Sequence, residues 1–123
     1  MRGLSRFGRD RRLLKTDEFS SVFNFRCSVR GEFLQVLGKR NDLSQARLGI
    51  VVSKKLAKQA VRRNTMKRLV RETFRLNDGE LAGLDVIVWP RQAFGHEEAA
   101  VVRAEMLELF RRIRRKCRAS SSP

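Results

Sequence analysis

Acidic side chains are scarce in this chain: 13 Asp and Glu stand against 28 Lys and Arg over 123 residues, a formal charge of +15. Cations at this density repel one another unless phosphates or counterions offset them, so the balance points to a polyanionic partner. The pI near 11.5 lies well beyond the value of about 9 at which nucleic-acid binding becomes the leading explanation.

Histidine is nearly missing too, His96 being the single example. Its setting, Gly95-His96-Glu97-Glu98, suits a helix start better than catalysis. Asp10, Asp17, Asp42, Asp78 and Asp85 are scattered along the chain, so no carboxylate pair or metal-binding cluster stands out. There is no glycine-rich phosphate loop, and nothing beside Lys54-Lys55 forms an apolar pocket that would lower an amine pKa. No catalytic residue and no protein-borne metal site is expected. Cys27 and Cys117 are too few for a disulfide framework and too far apart for a metal motif. Cys117 instead continues an apolar stripe through Val102, Met106, Leu109, Phe110 and Ile113. No apolar run approaches the roughly 20 residues that span a bilayer, and no apolar stretch follows the N-terminal charges, so no membrane contact and a cytoplasmic location are expected.

What is present is enough to fold. Hydrophobic residues make up 41% of the chain, consistent with one modest core rather than a disordered basic tail. The expected layout is a flexible basic arm over residues 1–11, one RNA-binding domain over 12–117 and a disordered tail over 118–123. Thr16, Asp17 and Glu18 start a short helix with Phe19, Val22 and Phe23 on one face. Strands are predicted over 33–38 and 47–53, a third over 86–89, and a weak extended piece near 26–30. A helix over about 57–76 ends at Asn77-Asp78-Gly79, and a last amphipathic helix covers about 97–116. The class is α+β, a small α/β sandwich in the order α-β-β-(β)-α-β-α.

The middle helix carries the sharpest signal. At about 100° per residue, Asn64, Lys67, Arg68, Arg71 and Arg75 share one arc, while Met66, Leu69, Val70 and Thr73 fill the opposing one. Solvated helices usually mix charges at i,i+4, and here only Glu72 interrupts the cations. The basic arc is therefore expected to face outward onto phosphates. Eight Phe and one Trp are present, and each reads either as core or as a platform for unpaired bases.

At this point the residues resemble a family. Ala60-Val61, Arg63-Asn64, Lys67-Arg68, Arg71-Glu72 and Phe74-Arg75 resemble the signature helix of the bacterial ribonuclease P protein subunit. Arg12-Leu13, Lys15, Phe19 and Val22-Phe23 are similar to its first helix; Arg47-Leu48-Gly49 and Val52-Ser53-Lys54-Lys55 to the strand before the signature; Asp85-Val86-Ile87-Val88 to the strand after it. The region around Leu109-Phe110-Arg111 resembles the final helix. Two positions depart from the pattern: Thr65 replaces a second Arg, and Ala57 or Lys58 a glycine. The resemblance implies a left-handed βαβ crossover and a place in a ribonucleoprotein endonuclease that matures tRNA 5′ ends. It implies that the catalytic RNA subunit holds the active site and its Mg2+. Lys54, Lys55, Lys58, Arg62, Arg63, Asn64, Lys67, Arg68, Arg71 and Arg75 are then expected on the RNA subunit. Arg12, Lys15, Phe19, Phe23, Phe33 and Val36 are expected on the 5′ leader of precursor tRNA. No obligate protein partner is expected. The alternative is a structural, ribosomal-type RNA-binding protein with no processing role.

Overall fold

The computed structural model describes residues 12, 13, 16–25 and 27–120. The arm expected over 1–11, Lys15 and the last residues 121–123 lie outside them. Seven main elements follow in order: α1 (Thr16–Phe25), β1 (Cys27–Arg30), β2 (Leu34–Arg40), β3 (Arg47–Ile50), α2 (Ala60–Asn77), β4 (Leu84–Pro90) and α3 (Ala99–Ser120). The strands form one sheet in the order β1-β2-β4-β3, antiparallel except for β3 beside β4.

Both faces of the sheet are covered, which is why the central strands read as continuous apolar runs rather than alternating ones. Leu34, Val36, Leu48, Val86 and Val88 point to the layer of α2 and α3, meeting Met66, Val70, Phe74, Met106, Phe110 and Ile113. Leu37 and Ile87 point the other way and are capped by Val22 of α1, with Leu13, Phe19, Phe23, Val51 and Trp89 around them. Phe74 and Phe110 join α2 to α3 edge-on at 6.4 Å. Each fully buried side chain of this size stabilises the fold by about 1.5–3 kcal/mol.

The parallel pair β3 and β4 is joined through α2. Val88 sends its side chain into the α2–α3 core and its carbonyl toward β3, where it accepts from the Val51 N–H at 3.1 Å. For an L-residue these two directions set β3 to the right of β4 as seen from the helices. The path β3–α2–β4 therefore runs leftward, the rare left-handed crossover.

Polar groups lock the layers together. Arg47 donates through Nε and Nη2 to both carboxylate oxygens of the buried Asp85, at 2.8 and 2.7 Å, and through Nη1 to Glu18 of α1 at 3.0 Å. Those contacts, led by the hydrogen bond to Asp85, hold the Arg47 guanidinium above its usual pKa. On the other face, the Glu105 carboxylate of α3 accepts from the backbone N–H groups of Glu32, Phe33 and Leu34, at 3.1, 2.9 and 2.8 Å. The turn between β1 and β2 is thereby fastened to the helix.

Some boundaries differ from expectation for local reasons. The segment near 27–30 is a full strand, and β3 stops at Ile50. The middle helix begins at Ala60 and not near 57, because Ser53 closes a turn: its carbonyl accepts from Ala57 N–H and its hydroxyl from Leu56 N–H. The last helix runs to Ser120, so residues 118–120, expected as tail, continue α3. It is preceded by a 3-10 turn at His96–Glu98, where Gly95 N–H donates to the Glu98 carboxylate at 2.8 Å. Cys27 and Cys117 are buried thiols with their sulfurs 2.8 Å apart, an apolar core role for Cys117 as expected but a neighbourhood no spacing foretold.

Candidate nucleic-acid interface

The α2 helix buries Met66, Leu69, Val70, Thr73 and Phe74 against the core, the arc its periodicity assigned plus Phe74. That orientation turns Asn64 and Arg68 fully outward, with Lys67, Arg71 and Arg75 partly exposed beside them. Among the described residues, ion pairs join Arg47 to Glu18 and Asp85, Arg111 to Glu108 and Arg114 to Glu80, and Lys67, Arg68 and Arg71 take part in none. Arg103 of α3 adds a further exposed cation near Arg68, one that the sequence reading missed.

The start of α2 makes the same point. Its first turn has no acidic residue, and Gln59 at the N-cap supplies no side-chain bond. Cations there oppose the helix dipole at a cost of some tenths of a kcal/mol each, whereas an anion at the same place is favoured. Lys54, Lys55 and Lys58 are exposed in the loop that enters the helix. Two expected contacts stand differently. Arg63 turns back and donates through Nη1 to the carbonyls of Ala57 and Lys58, at 2.8 and 2.9 Å, strapping that loop in place. Arg62 lies off the arc, in a groove shared with Gly95, His96, Glu97 and Glu98. Thr65 bonds its own helix, Oγ1 to the Val61 carbonyl at 3.0 Å.

The aromatic site is on the α1 face of the sheet. Phe19 and Phe23 are half-buried along the inner side of α1. Phe19 fits because position 49 is glycine: a Cβ there would come within 2.6 Å of its ring. Phe23 meets Trp89 edge-on at 5.7 Å, and the Arg91 guanidinium sits 4.1 Å from the centre of the Trp89 ring. Trp89 is thus part of the cleft, although nothing in its apolar strand announced which face it would take.

Phe33 and Val36 do not join them. Val36 is fully buried in the α2–α3 core, and Phe33 packs edge-on against Phe94 at 6.2 Å in the same layer. Both belong to the opposite side of the sheet from Phe19 and Phe23, so the expected cleft lining is corrected to Phe19, Phe23, Val51 and Trp89, with Gln35 beside Trp89 in register. Arg12 forms a backbone bridge to Leu48 on the open edge of β3, and Leu13 N–H donates to the Leu48 carbonyl at 2.9 Å. A cavity of about 150 Å³ there is lined by Arg12, Phe19, Gly49, Lys67 and Arg71 among others. It joins the basic helix to the aromatic cleft.

Comparison with known proteins shows the family. The family whose sequence profile matches, over residues 7–114, is described as Ribonuclease P. The chain belongs to the ribonuclease P protein family. The Ribonuclease P protein component of Chromobacterium violaceum is 52% identical over 117 residues, 95% of this chain and 96% of that protein. That of Pseudomonas aeruginosa is 40% identical over 118 residues, covering 95% and 87%. Among solved structures, the RNase P protein from Thermotoga maritima superposes with a TM-score of 0.70 at 35% identity, covering 82% of this chain and 96% of that one. A Staphylococcus aureus RNase P protein mutant with defective mRNA degradation activity gives 0.74 at 31% identity, covering 81% and 85%. As a ribonuclease P protein component the chain is part of an endoribonuclease complex with a partner RNA. No described helix is long and apolar enough to cross a membrane.

Proposed function

We propose that this ribonuclease P protein works as the non-catalytic half of a ribonucleoprotein that removes the 5′ leader from precursor tRNA. Asn64, Lys67, Arg68 and Arg71 of α2, with Lys54, Lys55 and Lys58, neutralise phosphates of the RNA subunit. Phe19, Phe23 and Trp89 stack on unpaired leader bases, each stack being worth about 1–3 kcal/mol. The observation that carries the reading is the junction at Gly49, where Lys67 and Arg71 share one cavity with Phe19. A leader emerging from an RNA held by α2 enters the cleft there without leaving the cationic surface.

Hydrolysis belongs to the RNA subunit in this scheme. Among the described residues no group of three or more His, Cys, Asp or Glu side chains is placed to hold a metal. In this scheme the Mg2+ required for cleavage is assigned to the RNA. What the protein supplies is charge neutralisation and leader affinity. The test is reconstitution with a bacterial catalytic RNA at low magnesium: 5′ processing should rise when the chain is added. Phe23→Ala should weaken binding of precursor but not mature tRNA. Equal losses for the two substrates refute the leader assignment, and cleavage by the protein alone refutes the division of labour. The ribosomal-type alternative predicts that the RNA co-purifying with the chain is ribosomal.

A further inference from the structure

A second cationic surface lies at the far edge of the sheet, away from α2. β1 is an edge strand, and the cavity beside it, about 590 Å³, is lined by Ser28, Val29, Arg30, Arg112, Arg115 and Lys116, with no acidic side chain among them. Arg112, Arg115 and Lys116 stand at i, i+3 and i+4 and so share one face of α3, where like charges destabilise the helix by a few tenths of a kcal/mol per pair. The helix dipole does not account for them. Its effect is confined to the last turn, and α3 continues to Ser120, two turns beyond Arg112. Edge protection accounts for one cation only: Lys116 Nζ donates to the outward Ser28 carbonyl at 2.7 Å and blocks strand addition.

Strand register links this surface to the aromatic cleft. Trp89 pairs with Gln35, and Gln35 pairs with Arg30. Cys27 and Val29 point into the α3 layer, so Arg30, by alternation, projects on the α1 face with Trp89 and Gln35. The row Trp89–Gln35–Arg30 crosses two strand spacings, about 10 Å, from the cleft to the open edge.

The geometry points to a second phosphate-binding track, in which Arg30, Arg112 and Arg115 hold the 5′-distal part of the precursor leader after it has crossed the cleft. This rests on the leader reading above and extends it to leader length. The occupant is single-stranded RNA backbone: the row begins at a base-stacking platform, and the edge offers cations without a second aromatic.

The experiment uses the holoenzyme reconstituted with a bacterial catalytic RNA and precursors with leaders of roughly 4 to 16 nucleotides, the span that single-stranded grooves engage. Affinity of the unaltered protein should keep rising as the leader grows past the cleft. The double variant Arg112→Ala/Arg115→Ala should match it on the shortest leader and on mature tRNA. On the longest leader it should lose about tenfold, with a salt slope lower by roughly 0.7 per phosphate contact removed. Both residues are exposed, so the urea midpoint should hold, and the double Lys variant should recover most of the affinity. Equal losses at every leader length would assign the surface to the RNA subunit and overturn the proposal; so would no loss at any length. Phe23→Ala, measured in parallel, reports on the cleft separately, because its loss is expected at all leader lengths.

Discussion

Trp89→Ala tests the corrected cleft where structure and sequence reading part. The side chain is half-buried, held by the edge contact to Phe23 and by Arg91 over its ring. Removing it forfeits an aromatic pair of about 0.5–1.5 kcal/mol and a cation–π contact of about 0.5–1 kcal/mol, so a stability loss of roughly 1–2.5 kcal/mol is expected from these two contacts. The functional loss is of similar size with a different signature. A base stacked on the indole contributes about 1–3 kcal/mol, so precursor affinity should fall about 5- to 150-fold. Mature tRNA, having no leader, should bind as before. Trp89→Phe keeps a π face and should restore most of the difference. Equilibrium binding of both RNAs to reconstituted holoenzyme, with a urea curve to confirm folding, separates the two effects. If the folded Ala variant binds precursor as well as the parent, or loses affinity equally for precursor and mature tRNA, Trp89 is not a leader platform.

Two further predictions concern the scaffold. Glu105→Ala leaves the N–H groups of Glu32, Phe33 and Leu34 without their carboxylate, and should lower stability by about 2–3 kcal/mol, read as a reduced urea midpoint; an unchanged midpoint contradicts the fastening role. The second is a pH dependence: burial, then the hydrogen bond with Cys27, pushes the Cys117 thiol well above its ordinary range. The folded chain therefore keeps its proton at pH values where the unfolded chain releases it. Stability from this group is full below the unfolded thiol pKa of about 8.5 and declines as pH rises above it, by at most about 1.4 kcal/mol per pH unit for one proton. Under reducing conditions Cys117→Ala should flatten that part of the stability profile between pH 8 and 10, and an unaltered slope would show that the thiol does not titrate on unfolding.

How much was legible in the sequence depended on whether a local period carried the information. The outward cations and buried Met66, Leu69 and Val70 of α2 follow from a helical repeat that survives folding unchanged. Val86 to Trp89 announced a buried strand but not its parity, because a sheet covered on both faces has no polar side to mark register. The same ambiguity put Val36 in the cleft when its neighbour Leu37 is the residue on that face, and left Trp89 out. No pattern reveals that the entrance loop offers Arg63 two carbonyls. The meeting of Cys27 and Cys117 is a product of α3 packing on β1 and is invisible to spacing. The left-handed crossover came from family resemblance, and the direction of the Val88 carbonyl accounts for it in the structure.

The central claim is that the outward face of α2 meets phosphates of the RNA subunit. Its most direct measurement is RNA-subunit affinity across a salt series for the parent and for Arg68→Ala/Arg71→Ala, both side chains lying outside the described ion pairs. Weaker binding with a log–log salt slope shallower by about one unit per lost contact is predicted, at an unchanged urea midpoint. The same affinity and slope in parent and variant would contradict it.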